Sequence, residues 1–161
     1  MRTAFYPCCG RDFEFAAKVV SPYAEEIVFC DRSQQYLREF SEFKRQTQQM
    51  ECHFVIGDAR DVIHNIDSIS VFFHRGVVAP GEGSADVYFF GKKYLSQFAP
   101  KFLDNGLIIS DGNGSGDKIF QRMIRAQGYT RFGRHFSKVP DFQQPDEFGL
   151  FRISARILGA R

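Results

Sequence analysis

Apolar positions along the chain follow two spacings in turn. Short runs that are apolar at nearly every position fall at residues 3–7, 26–30 (EIVFC), 52–56 (CHFVI), 69–73 (ISVFF) and 107–110. Such runs predict strands buried on both faces. Between them, apolar residues recur at helical spacing. Phe13, Ala16, Ala17 and Val20 follow Asp12, a residue able to cap a helix, and Pro22 ends that helix. Tyr36, Leu37, Phe40 and Phe43 share one face of a longer helix capped by Ser33, with charged residues opposite. A third helix is predicted over residues 87–102, with Tyr94, Leu95, Phe98 and Phe102 inward. A fourth opens at Asp117, carries Ile119, Phe120, Met123 and Ile124, and closes at Gly128.

Strand, helix and strand in alternation predict a parallel sheet with crossover helices. The last third departs from this. Residues 129–137 and 148–158 are strand-like, and the polar loop between them, KVPDFQQPDE, has no room for a crossover helix. The two are expected to be antiparallel neighbours. With no internal repeat or linker in the pattern, a single domain over residues 1–161 is expected, consistent with the length of 161 residues and 43% hydrophobic content.

Composition changes this picture little. With 19 Phe and no Trp, phenylalanine fills most large core positions, so aromatic richness signals packing. A net charge of +2 argues against nucleic acid or an acidic membrane as a partner through bulk electrostatics. The start, MRTAFYPCCG, has no apolar leader, and no run approaches the ~20 apolar residues of a membrane span, so a cytoplasmic protein is expected. Cys8, Cys9, Cys30 and Cys52 lack a CxxC spacing. They read as reduced, small apolar residues and not as a disulfide framework or a metal site.

Candidate chemistry gathers where strands end. The turn after the first strand reads Tyr6-Pro7-Cys8-Cys9-Gly10-Arg11-Asp12. Asp31 ends the second strand in FCDRS, where an acid can accept ribose hydroxyls in a nucleotide-binding crossover. The third strand ends in IGDARD, with Gly57, Asp58 and Ala59 in its turn. After the fourth strand, the loop HRGVVAPGEGSAD holds His74, Arg75, Glu82 and Asp86, groups able to act on a substrate or to form a solvated connection. After the fifth, SDGNGSGD places Asp111 at the strand end, although its glycines are also what any tight turn requires. Arg122, Arg125, Arg131, Arg134, His135 and Lys138 make a local basic stretch that reads better as a solvated edge than as a phosphate-binding surface.

Together these features resemble the class I S-adenosylmethionine-dependent methyltransferase family over essentially the whole chain. The resemblance implies a Rossmann-like three-layer α/β sandwich whose mostly parallel seven-stranded sheet is closed by an antiparallel C-terminal hairpin. The family's acid-x-Gly-x-Gly-x-Gly turn overlays on residues 6–12, where Tyr6 replaces the acid, Cys8 the first glycine and Asp12 the last, and Gly10 is retained. A side chain at Cys8 narrows the approach of a ligand to the backbone. The resemblance implies S-adenosylmethionine as cofactor, bound among Tyr6, Cys8, Gly10, Asp12, Asp31, Arg32, Asp58 and Ala59, with Gly10 and Asp12 at its methionine end, Asp31 at the ribose and Asp58, in its turn with Ala59, at the adenine. It places His74 and Asp111 beside the methyl acceptor. That acceptor is a small molecule or a protein surface, and a homodimer on the sheet edge is left open. A nicotinamide dehydrogenase would share the acid at Asp31 but calls for a fuller Gly-x-Gly-x-x-Gly. The replacements at Tyr6 and Cys8 keep a second reading in play, a binding or regulatory module that has lost the cofactor.

Overall fold

The computed structural model describes residues 1–75, 97, 99–110, 147 and 150–155. The described strands are β1 (Thr3–Pro7), β2 (Glu26–Asp31), β3 (Glu51–Ile56), β4 (Ile69–His74), β5 (Phe102–Ser110) and β6 (Phe151–Ala155). The helices are α1 (Phe13–Val20), α2 (Leu37–Gln46) and the single turn α3 (Ala59–Val62). Among the described residues the strands form one sheet in the order β3-β2-β1-β4-β5-β6. β1 to β5 run parallel, and β6 pairs antiparallel with β5. The order reverses beside β1, since β2 and β3 lie to one side and β4 and β5 to the other. In parallel sheets that reversal opens a crevice at the carboxyl ends of the strands.

All five residues of β1 are buried, as the central strand of a parallel sheet requires. One face of the sheet packs under α1 and α2 through Ala4, Tyr6, Ile27, Phe29, Cys52 and Phe73. Phe13 is the hub of that layer: its ring lies 5.1 Å from Phe29, 5.3 Å from Phe40, 5.8 Å from Phe43 and 5.6 Å from Phe54, centroid to centroid. Three of those four contacts are edge-on, the arrangement the ring quadrupoles favour. The expected use of phenylalanine as core filler is met here.

Several expectations need correction. Ser33 does accept a hydrogen bond from the Gln35 N–H, but it caps a 3-10 turn, Gln34–Tyr36, that leads into α2. Leu37, expected inward, is 40% exposed, because the tighter turn rotates it off the face that Phe40 and Phe43 bury. Phe102, expected to close a helix, starts β5, and that strand begins five residues earlier than Leu107. The pairing with β4 slips between Ile69 and Val71 to take up this extra length. Gly106 sits inside the irregular stretch, where a Cβ would come within 2.8 Å of the Phe102 ring and 2.9 Å of the Leu103 carbonyl oxygen. Only a glycine fits there. The short α3 carries no apolar periodicity long enough to be read as a helix. The expected strand at residues 129–137 and the helices at 87–96 and from Asp117 lie outside the described residues. No helix among the described residues is long and apolar enough to cross a membrane.

Candidate functional site

The chain leaves β1 at Pro7 and enters α1 at Phe13 through a turn with two left-handed residues, Cys8 at φ 52° and Gly10 at φ 58°. Gly10 adopts this conformation without steric cost, whereas Cys8 adopts it against a penalty of about 1–2 kcal/mol. The backbone at position 8 thus has a shape that favours glycine, although the residue there is cysteine. Two hydrogen bonds tie the turn to the end of β2: the Cys9 N–H donates to the Cys30 carbonyl at 3.0 Å, and the Gly10 N–H donates to Asp31 Oδ2 at 2.9 Å.

Asp31 is the junction of three loops. Its Oδ1 accepts from the Ser33 N–H at 2.9 Å, and its carbonyl accepts from the Gly57 N–H at 2.8 Å. The β1 turn, the β2 end and the β3 turn are thus fastened around one residue. A carboxylate offers about four acceptor positions, so Asp31 retains capacity for a ligand's hydroxyls.

Asp58 caps α3 through the Arg60 N–H, 2.9 Å from Oδ1, and Oδ1 also accepts from Arg60 Nε at 2.6 Å. Its Oδ2 takes the Arg60 and Arg32 guanidinium groups together. Hydrogen bonds from Arg60 foremost, aided by Arg32, hold the carboxyl well below the usual carboxylate range. Ala59 is buried behind it at the start of α3. Arg32, expected among the cofactor's contacts, here reaches across to Asp58.

Asp12 stands at the N-cap position of α1, but its side chain makes no capping bond, contrary to expectation. The carboxylate turns inward, where Oδ2 accepts from the Tyr6 hydroxyl at 2.9 Å and pairs with the Arg75 guanidinium at 2.7 Å. Burial first, and the Asp12 charge second, push the Tyr6 hydroxyl well above its ordinary pKa, so it stays protonated as the donor. Arg75 also lies over the Phe15 ring, 4.2 Å from its centroid. An open cleft of about 510 Å³ adjoins this group, lined by Arg11, Asp12, Phe13, Glu14, Phe15, Lys18 and Arg75 and by neither Asp31 nor Asp58. Sequence reasoning gave Arg75 no place at the turn.

His74 ends β4 and is buried, with Nδ1 3.3 Å from the Ser110 hydroxyl at the end of β5. Ser110 was not singled out in the sequence, and its register opposite His74 is the signal that finds it. Asp111, Glu82 and Asp86 lie outside the described residues. The four cysteines are free thiols, and Cys8 is half-buried while the other three are buried. Desolvation pushes the Cys8 and Cys30 thiols up to about 12, helped at Cys8 by Asp31 and Asp58 and at Cys30 by Cys8 and Asp31, so they are neutral and weakly nucleophilic.

The left-handed turn and the strand-end acids Asp31 and Asp58 stand together at the carboxyl ends of β1, β2 and β3, beside the point where the strand order reverses. The structure superposes on a candidate methyltransferase from Streptococcus mutans in complex with SAH, with TM-score 0.61 and 12% identity over 98% of this chain and 89% of that one. The fold is methyltransferase-like. A methyltransferase from Geobacter sulfurreducens gives TM-score 0.59 at 13% identity, covering 96% of this chain and 71% of that one. An rRNA methylase from Streptococcus thermophilus gives 0.56 at 11%, covering 98% and 87%. No protein-family model and no curated protein sequence matches the chain.

Proposed function

We propose that this protein binds S-adenosylmethionine at the carboxyl ends of β1, β2 and β3 and transfers its methyl group to a small molecule or a protein surface. The observation that carries the reading is the joint placement of Gly10 and Asp31 at the sheet's reversal point, the left-handed turn hydrogen-bonded to the strand-end acid. The fold shared with methyltransferases supports it, as does the SAH held by the S. mutans protein. The donor set fits such a cofactor. Asp31 has acceptor capacity for two ribose hydroxyls, and Asp58 and Ala59 lie at the neighbouring strand end, where one of the arginine bonds to Asp58 would give way to the adenine amino group. The Cys8–Gly10 turn meets the methionine end, its Cys9 and Gly10 N–H groups held by Cys30 and Asp31 and Asp12 held by the Tyr6 hydroxyl.

When bound, the cofactor supplies an electrophilic methyl group on a positively charged sulfur. The protein's part is alignment, because an in-line displacement needs chiefly a fixed approach. His74, with its ring placed by Ser110, takes a proton where the acceptor has one to lose. Asp111 joins it by sequence position.

The test is calorimetric titration of the full chain with S-adenosylmethionine and S-adenosylhomocysteine. Micromolar binding, worth about 8 kcal/mol, is expected. Asp31→Ala should weaken binding at least tenfold while leaving the protein folded. No heat with either ligand from folded protein overturns the proposal. It would leave the second reading, a binding module, for which the engagement of Asp12 by Arg75 is the favouring observation.

A further inference from the structure

The amino ends of β2 and β3, opposite the nucleotide turn, bring together three side chains that the proposed function does not use. Glu26 and Glu51 are register partners on adjacent parallel strands, and His53 follows two residues after Glu51, so all three project from the same face of the sheet. Their donor atoms lie within 4.8 Å of one another. His53 Nε2 is 3.1 Å from Glu51 Oε1 and 3.7 Å from Glu26 Oε2. Two carboxylates side by side across a strand pair repel, and a cation held between them relieves that repulsion.

We infer that Glu26, Glu51 and His53 form a binding site for a divalent first-row transition ion, zinc above all. Tetrahedral zinc with nitrogen and oxygen ligands at about 2.0–2.2 Å sets its ligands roughly 3.3–3.5 Å apart, and the two histidine–carboxylate separations bracket that value. One imidazole nitrogen and two carboxylate oxygens match zinc's borderline preference and leave a fourth position to water. Glu26 is largely buried, and its other oxygen accepts the Thr3 hydroxyl from β1, which orients the carboxylate as an outer-shell partner does. The backbone that carries all three ligands is regular sheet. A bound ion would clamp the edge strand β3 to β2, a structural role at the end of the sheet away from the cofactor turn.

The experiment is titration of metal-stripped full-length protein with zinc chloride, by calorimetry and by thermal unfolding. One ion is expected to bind with micromolar affinity and to raise the melting temperature by several degrees. His53→Ala and Glu26→Gln should each weaken binding at least tenfold and abolish the thermal shift. Glu51→Gln, at an exposed position, serves as the variant least able to disturb folding. Cobalt bound in place of zinc should give visible bands without a thiolate charge-transfer band, which separates this site from the four cysteines. Binding only at millimolar zinc, equal binding by the His53 and Glu51 variants, or a thiolate band overturns the inference. A failure of the cofactor titration leaves it untouched, since the two sites share no residue.

Discussion

Asp12 and Asp58 each stand at the start of a helix, in the turns after β1 and β3, and each is paired with arginine. They meet that partner in different solvents. Asp12 is buried, and its pair with Arg75 lies over the Phe15 ring and takes the Tyr6 hydroxyl as well. Asp58 is half-buried, and its partner Arg32 is 66% exposed, so that pair is open to solvent. A buried pair costs little while complete and much when half is removed; a surface pair is weak either way. The two pairs should therefore answer mutation on very different scales.

Arg75→Ala tests the buried pair and should have the largest effect. It leaves the Asp12 charge uncompensated beside Tyr6 and is expected to cost about 3 kcal/mol of stability, measured by denaturant unfolding. A loss under about 1 kcal/mol would erase the contrast between the two pairs. Asp58→Asn should cost about 1 kcal/mol at neutral pH, counting the cap and the exposed ion pairs together. Its sharper signature is in pH. The folded Asp58 carboxyl is held below its unfolded value, so its contribution is complete above about pH 4 and is lost as pH falls below that value. Unfolding curves of Asp58→Asn should accordingly fall less steeply on acidification than those of the parent. Cys8→Gly, in the turn after β1, should act in the opposite direction. Relief of the left-handed strain at φ 52° is expected to raise stability by about 0.5–1 kcal/mol and to tighten binding of S-adenosylmethionine in the same titration. The same variant removes a thiol whose neutral form is favoured by folding, a contribution present below about pH 9 and lost as pH rises towards 12.

The buried alternation of the first half was legible because continuous apolar runs and helical spacings are local signals. β1 was read to its residue, and Phe13, Ala16, Ala17 and Val20 all turn inward on α1 as their spacing demands. β5 was misread because Phe102 extends a helical spacing while tertiary pairing with Ile69 recruits it into the sheet. Asp31 was legible as a strand-end acid, and its fastening to Gly10, 21 positions earlier, agrees with that place. What Asp12 and Asp58 do was not legible. A cap is a local expectation, and both carboxylates answer instead, or in addition, to arginines brought by other strands: Arg75 from the end of β4 and Arg32 from the end of β2, 26 positions from Asp58. The Glu26, Glu51 and His53 group was equally invisible, since only strand register sets the first two side by side.

The fastening of three loops around Asp31 also bears on kinetics. The amides of Cys9, Gly10, Ser33 and Gly57 are already spoken for before any visitor arrives, each by a backbone carbonyl or carboxylate of Cys30 or Asp31. A molecule settling onto this floor has little chain left to freeze there, so its association should lose little entropy and run near the rate set by encounter and orientation.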